Sequence, residues 1–271
     1  MSLKTPIVMG VVNATPDSFY NQGRENTLSL LIQKSEQHIH EGATILDIGG
    51  WSSNFQSEFV SIEEEWSRIK DLLTYLKRNF PSVLISVDTF QSEIAYRSVQ
   101  EGVDIINDIS AGELDSQMLK TVAKMQVPYI AMHMQGTPKT MQINPVYQNV
   151  VQDILDYFIN KIAVFQELGI KDYVIDVGFG FGKTMDQNYE LLKGLHQFQI
   201  LKVPILAGLS RKSMIYKLLE TSPDEALLGT AILNFVALQQ GASILRVHDV
   251  KEAMDCIKLW KALQETNIFM K

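Results

Sequence analysis

Short apolar runs that lead into polar residues or glycine recur along the whole chain. Eight of them have the length and the β-branched content of buried strands. The first run breaks at Asn13 into a polar turn that carries Pro16. The predicted strands are Ile7–Val12, Thr44–Ile48, Leu84–Val87, Ile105–Ile106, Tyr129–Met132, Tyr173–Ile175, Ile205–Ala207 and Ile244–Val247.

Segments with helical periodicity separate these runs. Apolar residues recur there at the spacing of an amphipathic helix. A further helix is predicted to open at Pro223-Asp224 and to run towards Gln240. The clearest cases are Leu28–Glu41, Ile62–Asn79, Val146–Leu168 and Val250–Leu263.

Glycines punctuate the chain where predicted helices end and strands follow, at Gly42, Gly102, Gly169 and Gly241. Repetition of helix, glycine and strand is typical of βα units that build a parallel sheet. Eight such units predict a closed (β/α)8 TIM barrel, and no G-x-G-x-x-G follows the first strand as in an open dinucleotide-binding sheet. No shift in composition along the sequence marks a linker between two domains. We therefore predict one domain over residues 1–271, with a tail at about 267–271.

Residues at the carboxyl ends of the strands are the candidates for chemistry, because the active site of such a barrel lies there. Carboxylates, amides and cations all fall at these positions. Asp or Ser at a strand end is often only a helix cap, but lysine, arginine and histidine cannot cap a helix N-terminus. The residues are Asn13, Asp47, Asp88, Asn107, Asp108, His133, Asp176, Ser210, Arg211, Lys212, Arg246 and His248.

Composition limits the classes of partner and compartment. The formal net charge is −7 and no basic run stands out, so nucleic acid and anionic membranes are not expected to bind. No apolar stretch approaches the roughly 20 residues of a membrane span. The single cysteine, Cys256, has the pattern of a buried helix residue and can form no internal disulfide. These features predict a soluble protein of the cytoplasm.

Several other signals have simpler interpretations. The run from Gly178 to Thr184 fails the phosphate-loop pattern, because Val177 stands where glycine is required, and a tight turn is expected instead. His133 is expected to be structural. His38 and His40 point to different faces of their helix and make a poor metal pair. The glutamates at 63–65 are expected to form a solvated first turn.

The strand-end motifs, taken in order, resemble those of the dihydropteroate synthase family over nearly the full chain. Each motif alone is weak, but eight in the right order at predicted strand ends are specific. They begin at Asn13 (NATPDSF), Asp47 (DIGG), Ser86 (SVDT), Ile106 (INDI), Met132 (MHMQGTP), Asp176 (DVGFGFGK), Gly208 (GLSRKS) and Arg246 (RVH).

This resemblance implies a transferase of folate biosynthesis. It would condense 6-hydroxymethyl-7,8-dihydropterin pyrophosphate with p-aminobenzoate, giving dihydropteroate and pyrophosphate. The implied route is dissociative: pyrophosphate leaves first, and the arylamine attacks the resulting cation. The resemblance also implies Mg²⁺ as cofactor, a homodimer formed through late helices, and inhibition by sulfonamides.

Site roles follow from the resemblance as well. Catalysis is assigned to Asn13, Lys212, Arg246 and His248. Pterin contacts are assigned to Asp88, Asn107, Asp176, Lys212, Met132, Phe181 and Gly208. Pyrophosphate is assigned to Asn13, Arg246 and His248, with Asn13 as the metal ligand. The p-aminobenzoate side is assigned to Phe19, Ser53, Asn54, Ser210 and Arg211.

Two loops depart from the family pattern. After Gly50 the usual Glu-Ser-Thr-Arg-Pro-Gly is replaced by a segment running from Trp51 to Gln56, which removes an arginine and a proline near the second substrate. After Phe19, the segment from Tyr20 to Gly23 lacks a usual acidic residue. Two alternatives therefore stay open, a pterin-dependent methyltransferase and a non-catalytic pterin-diphosphate binding protein. A changed sulfonamide response is also expected.

Overall fold

Eight parallel strands close into a ring in chain order. The computed structural model describes residues 5–15, 24–51, 60–141, 143 and 145–265. The predicted barrel is confirmed, and each strand lies within two residues of its predicted bounds. The strands are β1 Ile7–Asn13, β2 Ile45–Gly49, β3 Leu84–Asp88, β4 Ile105–Asp108, β5 Tyr129–Met132, β6 Tyr173–Asp176, β7 Ile205–Ala207 and β8 Ile244–Val247.

Helices connect the strands on the outside of the ring. In the described ranges they are α1 Arg24–Glu41, α2 Ile62–Asn79, α3 Ser92–Gln100, α4 Met118–Met125, α5 Val150–Glu167, α6 Met185–Lys193, α7 Ser213–Tyr216, α8 Leu227–Gln239 and α9 Val250–Glu265. The described part of the chain also contains the 3-10 segments Leu195–Leu201 and Pro223–Glu225. None of these helices is long and apolar enough to cross a bilayer.

Local capping explains where two helices differ from prediction. α5 begins at Val150 rather than Val146, because the Asn149 side chain accepts hydrogen bonds from the backbone of Val151 and Gln152. The helix predicted from Pro223 is split, since a capping box between Ser222 and Glu225 forms a 3-10 turn before α8. The four predicted helix-ending glycines all have positive φ.

The barrel interior is layered, because alternate residues of a strand point to the same side. Its bottom layer is apolar and contains one residue from each strand: Met9, Ile45, Leu84, Ile105, Ile130, Val174, Leu206 and Ile244. Two residues further along each strand, the inward positions are Val11, Asp47, Ser86, Asn107, Met132, Asp176, Gly208 and Arg246. The bottom layer is thus an apolar plug beneath a second layer, which we call the polar layer because five of its eight residues are polar. All of its residues except Val11 and Ser86 were predicted as site residues.

The outer face of the strands packs against the helices in a continuous apolar core. Cys256 is buried in α9, as predicted. The expectation of a solvated turn at 63–65 is wrong for Glu65, which is fully buried. Glu65 falls on the inner stripe of α2 with Ile69, and its carboxylate accepts a hydrogen bond from Gln91.

Candidate active site

A cavity of about 170 Å³ opens at the carboxyl ends of the strands. Its walls combine cations, a carboxylate, an amide and aromatic rings. Most of these side chains were singled out from the sequence. The lining residues are Val11, Asn13, Trp51, Asp88, Phe181, Gly208, Ser210, Lys212, Arg246 and His248.

Arg246 forms the floor of this cavity and is held by two carboxylates, Asp47 from β2 and Asp88 from β3. Its Nε donates to Asp47 Oδ2 at 2.7 Å, and one terminal nitrogen donates to Asp88 Oδ2 at 2.6 Å. Burial acts to lower the pKa of Arg246, but the Asp47 and Asp88 carboxylates raise it overall, so the guanidinium stays charged. Burial raises the pKa of Asp88 to about 7, although Arg246 acts in the opposite direction.

Two of the predicted pterin residues lie in the layer just below the lining. Asn107 is buried and donates to Asp47 Oδ2 at 3.0 Å. The Asp176 carboxylate accepts from the backbone N–H of Gly178 at 2.8 Å, and burial raises its pKa. Gly208 lines the cavity beside Asp176, and a Cβ atom at this position would lie 3.9 Å from Asp176 Oδ2. Asp88, Asn107, Asp176 and Lys212 thus come together at one end of the barrel: Asn107 and Asp176 in the polar layer, Asp88 and Lys212 in the cavity lining.

Lys212 reaches this site from the loop after β7. Its ammonium group donates to the carbonyl oxygen of Phe179 and lies 4.4 Å from the centre of the Phe181 ring. Burial lowers the pKa of Lys212 to about 8, although the nearby Asp176 carboxylate favours the charged form. Lys212 is thus a cation whose charge can be lost within one unit above neutral pH.

Asn13, Ser210 and His248 line the mouth of the cavity. Asn13 Oδ1 lies beside Gly49, where a Cβ atom would be 3.7 Å from that oxygen. The His248 backbone N–H donates to Ser210 Oγ at 3.2 Å. Burial, followed by the neighbouring cations Lys34 and Arg246, lowers the pKa of His248 to about 4. Its imidazole is therefore neutral at pH 7 in the ligand-free site.

One wall of the site is apolar. Met132 does not line the cavity itself but belongs to a small buried apolar cluster, against which the lining residues Trp51 and Phe181 pack. The Trp51 ring meets Phe90 edge-on, with centroids 5.2 Å apart. Flat aromatic and thioether surfaces beside convergent polar groups are typical of a pocket for a planar heterocycle.

The residues assigned to p-aminobenzoate have different placements. Ser210 lines the cavity, whereas Arg211 does not. The Arg211 guanidinium pairs with Asp249 at 2.7 Å and with Asp224 at 3.2 Å. Phe19, Ser53 and Asn54 lie outside the described residues.

A second buried cation, Lys183, lies behind the Phe181 wall and was missed by the sequence analysis. Its ammonium group lies 2.8 Å from Gly178 O, 2.9 Å from Phe181 O and 3.1 Å from His133 Nδ1. Burial lowers the pKa of His133 to about 2, so the imidazole is a neutral acceptor. These contacts agree with the structural interpretation of His133. The only available signal for Lys183 was its position at the end of a glycine-rich turn.

The turn that Lys183 fastens is the tight turn expected at Gly178–Gly182. All three of its glycines have positive φ. A Cβ at Gly178 would lie 1.9 Å from His133 O, so only glycine fits there. The turn presents Phe181 to the cavity and the Phe179 carbonyl to Lys212.

Comparison with known proteins shows the class to which this chain belongs. A family model described as pterin binding enzyme matches residues 9–248. The match covers all eight strands apart from the first two residues of β1, and it therefore includes every residue of the polar layer. The chain belongs to the pterin-binding enzymes.

Individual relatives narrow the class. The chain is 41% identical over 264 residues to the dihydropteroate synthase of Haemophilus influenzae, covering 97% of this chain and 95% of the relative. A Yersinia pestis dihydropteroate synthase, solved with a sulfonamide drug, superposes with a TM-score of 0.92 at 37% identity, covering 98% and 97% of the two chains. A Xanthomonas albilineans dihydropteroate synthase, solved with 4-aminobenzoic acid, gives 0.92 at 36% identity, covering 98% and 96%. Within the class, the chain is a transferase of the dihydropteroate synthase family.

Proposed function

We propose that this enzyme condenses 6-hydroxymethyl-7,8-dihydropterin pyrophosphate with p-aminobenzoate to form dihydropteroate and pyrophosphate. The observation that carries the proposal is the polar layer above the apolar plug, where carboxylates and an amide meet beside a cationic mouth. A flat, nitrogen-rich ring and a diphosphate require these two environments side by side.

The pterin ring would lie on the polar layer. Its ring N–H and exocyclic amino group can donate to the Asp176 carboxylate, and Asn107 and Asp88 would complete the edge contacts. Lys212 would donate to the ring carbonyl oxygen and a ring nitrogen. Met132 and Phe181 would cover the faces of the ring, with Gly208 leaving room for it.

The diphosphate would lie at the mouth, between Asn13, Arg246 and His248. Arg246 has a terminal nitrogen that makes no hydrogen bond to a described residue, so it can donate to a phosphate oxygen. The neutral His248 imidazole can donate one ring N–H, and the arriving anion favours its protonation.

Mg²⁺ fits the donors at the mouth. Asn13 lines the cavity, and its amide oxygen is a hard ligand of the kind that Mg²⁺ prefers, so Asn13 would hold the ion together with diphosphate oxygens and water. When bound, the ion would supply charge neutralisation on the leaving diphosphate.

The protein's own contribution to catalysis is to favour departure of the diphosphate. Arg246 and His248 stabilise the negative charge that grows on the leaving oxygen. Asp88 and Asp176 hold the ring that becomes electron-poor, and their negative charge favours that cation. The amine of p-aminobenzoate is a free nucleophile at neutral pH, so no strong base is required. Among the described lining residues, Ser210 Oγ accepts from the His248 backbone N–H, and no hydrogen bond joins it to the His248 imidazole.

The second substrate would approach from the side of Ser210, with Phe19, Ser53, Asn54 and Arg211 as further candidates. For Arg211 this role requires release from Asp249. Because the segment after Gly50 departs from the family pattern, we propose that sulfonamides bind with altered affinity.

Release of pyrophosphate, measured with and without p-aminobenzoate in Mg²⁺, tests the proposal. We expect release and dihydropteroate formation that depend on both substrates. A methyltransferase would bind the pterin and release no pyrophosphate, and a binding protein would retain the pterin diphosphate unchanged. Either result would overturn the proposal.

We further propose a homodimer through α8 and α9. These helices pack against each other and expose large apolar side chains, including Leu228, Ile232, Leu259 and Leu263. Light scattering should give twice the chain mass for the wild type and one chain mass for the Leu228→Glu/Ile232→Glu variant. A wild-type monomer would contradict it.

The buried free thiol of Cys256 supports assignment to the reducing cytoplasm.

A further inference from the structure

We propose that Asp47 is a positioning residue of this enzyme, which holds Arg246 and Asn107 in place without touching the substrate itself. The inference rests on the proposed function, because it concerns the same pterin site. Asp47 is fully buried and is not part of the cavity lining. Both of its contacts are to side chains assigned to substrate.

The contacts converge on one atom. Asp47 Oδ2 accepts from Arg246 Nε at 2.7 Å and from Asn107 Nδ2 at 3.0 Å. The other oxygen, Oδ1, is buried and has no hydrogen-bond partner in the described part of the chain. A buried carboxylate with an oxygen that accepts no hydrogen bond contributes little to the stability of the fold. Its placement is explained by the two side chains that it orients.

Asp108 provides the opposite case within the same barrel. It is the next residue after Asn107, points outward from the ring and is also fully buried. Both of its oxygens are used: Oδ1 accepts from Ser110, and Oδ2 accepts from Gly112 N and Tyr129 Oη. Asp108 therefore ties a turn to the core, whereas Asp47 ties two site residues to each other.

The role of Asp47 becomes distinct from that of Asp88 when substrate arrives. Asp88 lines the cavity, so a pterin that donates to Asp88 competes with Arg246 for that carboxylate. Asp47 does not line the cavity, so it keeps its hydrogen bond with Arg246 Nε when the ligand binds. Arg246 can then turn its terminal nitrogens towards the diphosphate without leaving the floor of the site.

The test compares Asp47→Ala and Asp47→Asn with Asp108→Asn as the matched control. Asp47→Ala removes the shared acceptor, and we expect a loss of kcat/KM on the order of tenfold to a hundredfold, with a raised KM for the pterin substrate. Asp47→Asn keeps an oxygen at the position of Oδ2 and should recover part of this loss. Asp108→Asn should lower the melting temperature while KM stays at the wild-type value, because its new amide group faces donors.

Folded Asp47→Ala with wild-type KM and kcat, or an Asp47→Asn variant no better than Asp47→Ala, would overturn the inference. If Asp47→Ala does not fold, Asp47→Asn decides alone: we expect a several-fold loss in kcat/KM, and wild-type kinetics would contradict it. A wild-type enzyme that forms no dihydropteroate would instead refute the proposed function. The two failures are therefore distinguishable.

A measurement on the unmodified protein adds an independent check. In protein with ¹⁵N-labelled arginine, the Nε–H signal of Arg246 can be assigned by its loss in Arg246→Lys. We expect this proton to remain protected from exchange when a pterin without a diphosphate is added. Loss of protection on pterin binding would show that Asp47 releases Arg246, contrary to the inference.

Discussion

Two basic side chains at the same end of the barrel, the partly exposed Arg246 and the buried Lys183, are held in different ways. Arg246 is bound by the carboxylates of Asp47 and Asp88, at 2.7 and 2.6 Å. Lys183 is bound by backbone carbonyls and the neutral ring of His133, and no carboxylate contacts it within the described residues. Arg246 lines the cavity, whereas Lys183 lies behind its wall.

The difference indicates that Arg246 is placed to bind a ligand, whereas Lys183 stabilises the fold. The partners of Arg246 are charged, and one of them lies in the lining, so an arriving substrate can exchange places with it. The partners of Lys183 are main-chain carbonyls of the Gly178–Gly182 turn and the His133 imidazole, and Lys183 itself does not line the cavity. Burial accordingly lowers the pKa of Lys183, whereas carboxylates keep that of Arg246 high.

Replacement of Arg246 by alanine should have the largest effect on activity. It removes the proposed diphosphate donor, which we expect to lower kcat/KM by roughly 10²–10³-fold. It also leaves Asp47 and Asp88 buried without their cation, which costs about 3–5 kcal/mol of unfolding free energy. Steady-state kinetics and urea unfolding measure both effects. Arg78→Ala, at an exposed site on α2, is the control, and equal losses in the two variants would remove the distinction.

Asp176→Asn should weaken pterin binding next most strongly. The amide cannot accept both ring donors, and a buried donor left unpaired costs about 1–3 kcal/mol, or roughly tenfold to a hundredfold in affinity. Calorimetric titration with a pterin lacking the diphosphate measures this. Inorganic pyrophosphate should bind with little change. Pterin affinity equal to that of the exposed-site variant Asp186→Asn would refute the assignment.

The pH profile of kcat/KM should be bell-shaped, with tenfold changes per pH unit on its limbs. Below about pH 7, Asp88 gains a proton and loses its acceptor role; above about pH 8, Lys212 loses its charge. The optimum should therefore lie between these values. Lys212→Arg should remove the alkaline limb, because arginine stays charged. An alkaline limb unchanged in that variant would assign it to another group.

Lys183→Met should have the smallest effect on catalysis and a clear effect on stability. The carbonyls of Gly178 and Phe181 lose their donor, and each such group costs about 1–3 kcal/mol. We expect kcat/KM to fall by less than about tenfold, through displacement of Phe181. Denaturation and kinetics on the same preparation provide the comparison. A loss of activity as large as that of Arg246→Ala, without loss of stability, would make Lys183 a functional cation too.

The sequence predicted the strands and the inward-facing site residues well, because both follow from local rules. Ile45 and Asp47 differ by two positions on one strand, so an apolar bottom layer implies where the next side chain points. The burial of Glu65 could also have been predicted from the sequence, since it shares a helical stripe with Ile69. The role of Lys183 could not have been predicted, because its partners are carbonyls whose directions depend on the folded turn. The pairing of Arg246 with Asp47 was equally hidden, since 199 positions separate them.

That long separation has a consequence for how binding arises during folding. The floor of the site requires β8 to pair with β1, which brings Arg246 within reach of Asp47 on β2 and Asp88 on β3, so it exists only after the ring has closed. Affinity for a pterin is therefore a reporter of ring closure: separately expressed halves of this chain should bind none, and mixing them should restore binding only when the two pieces reassemble.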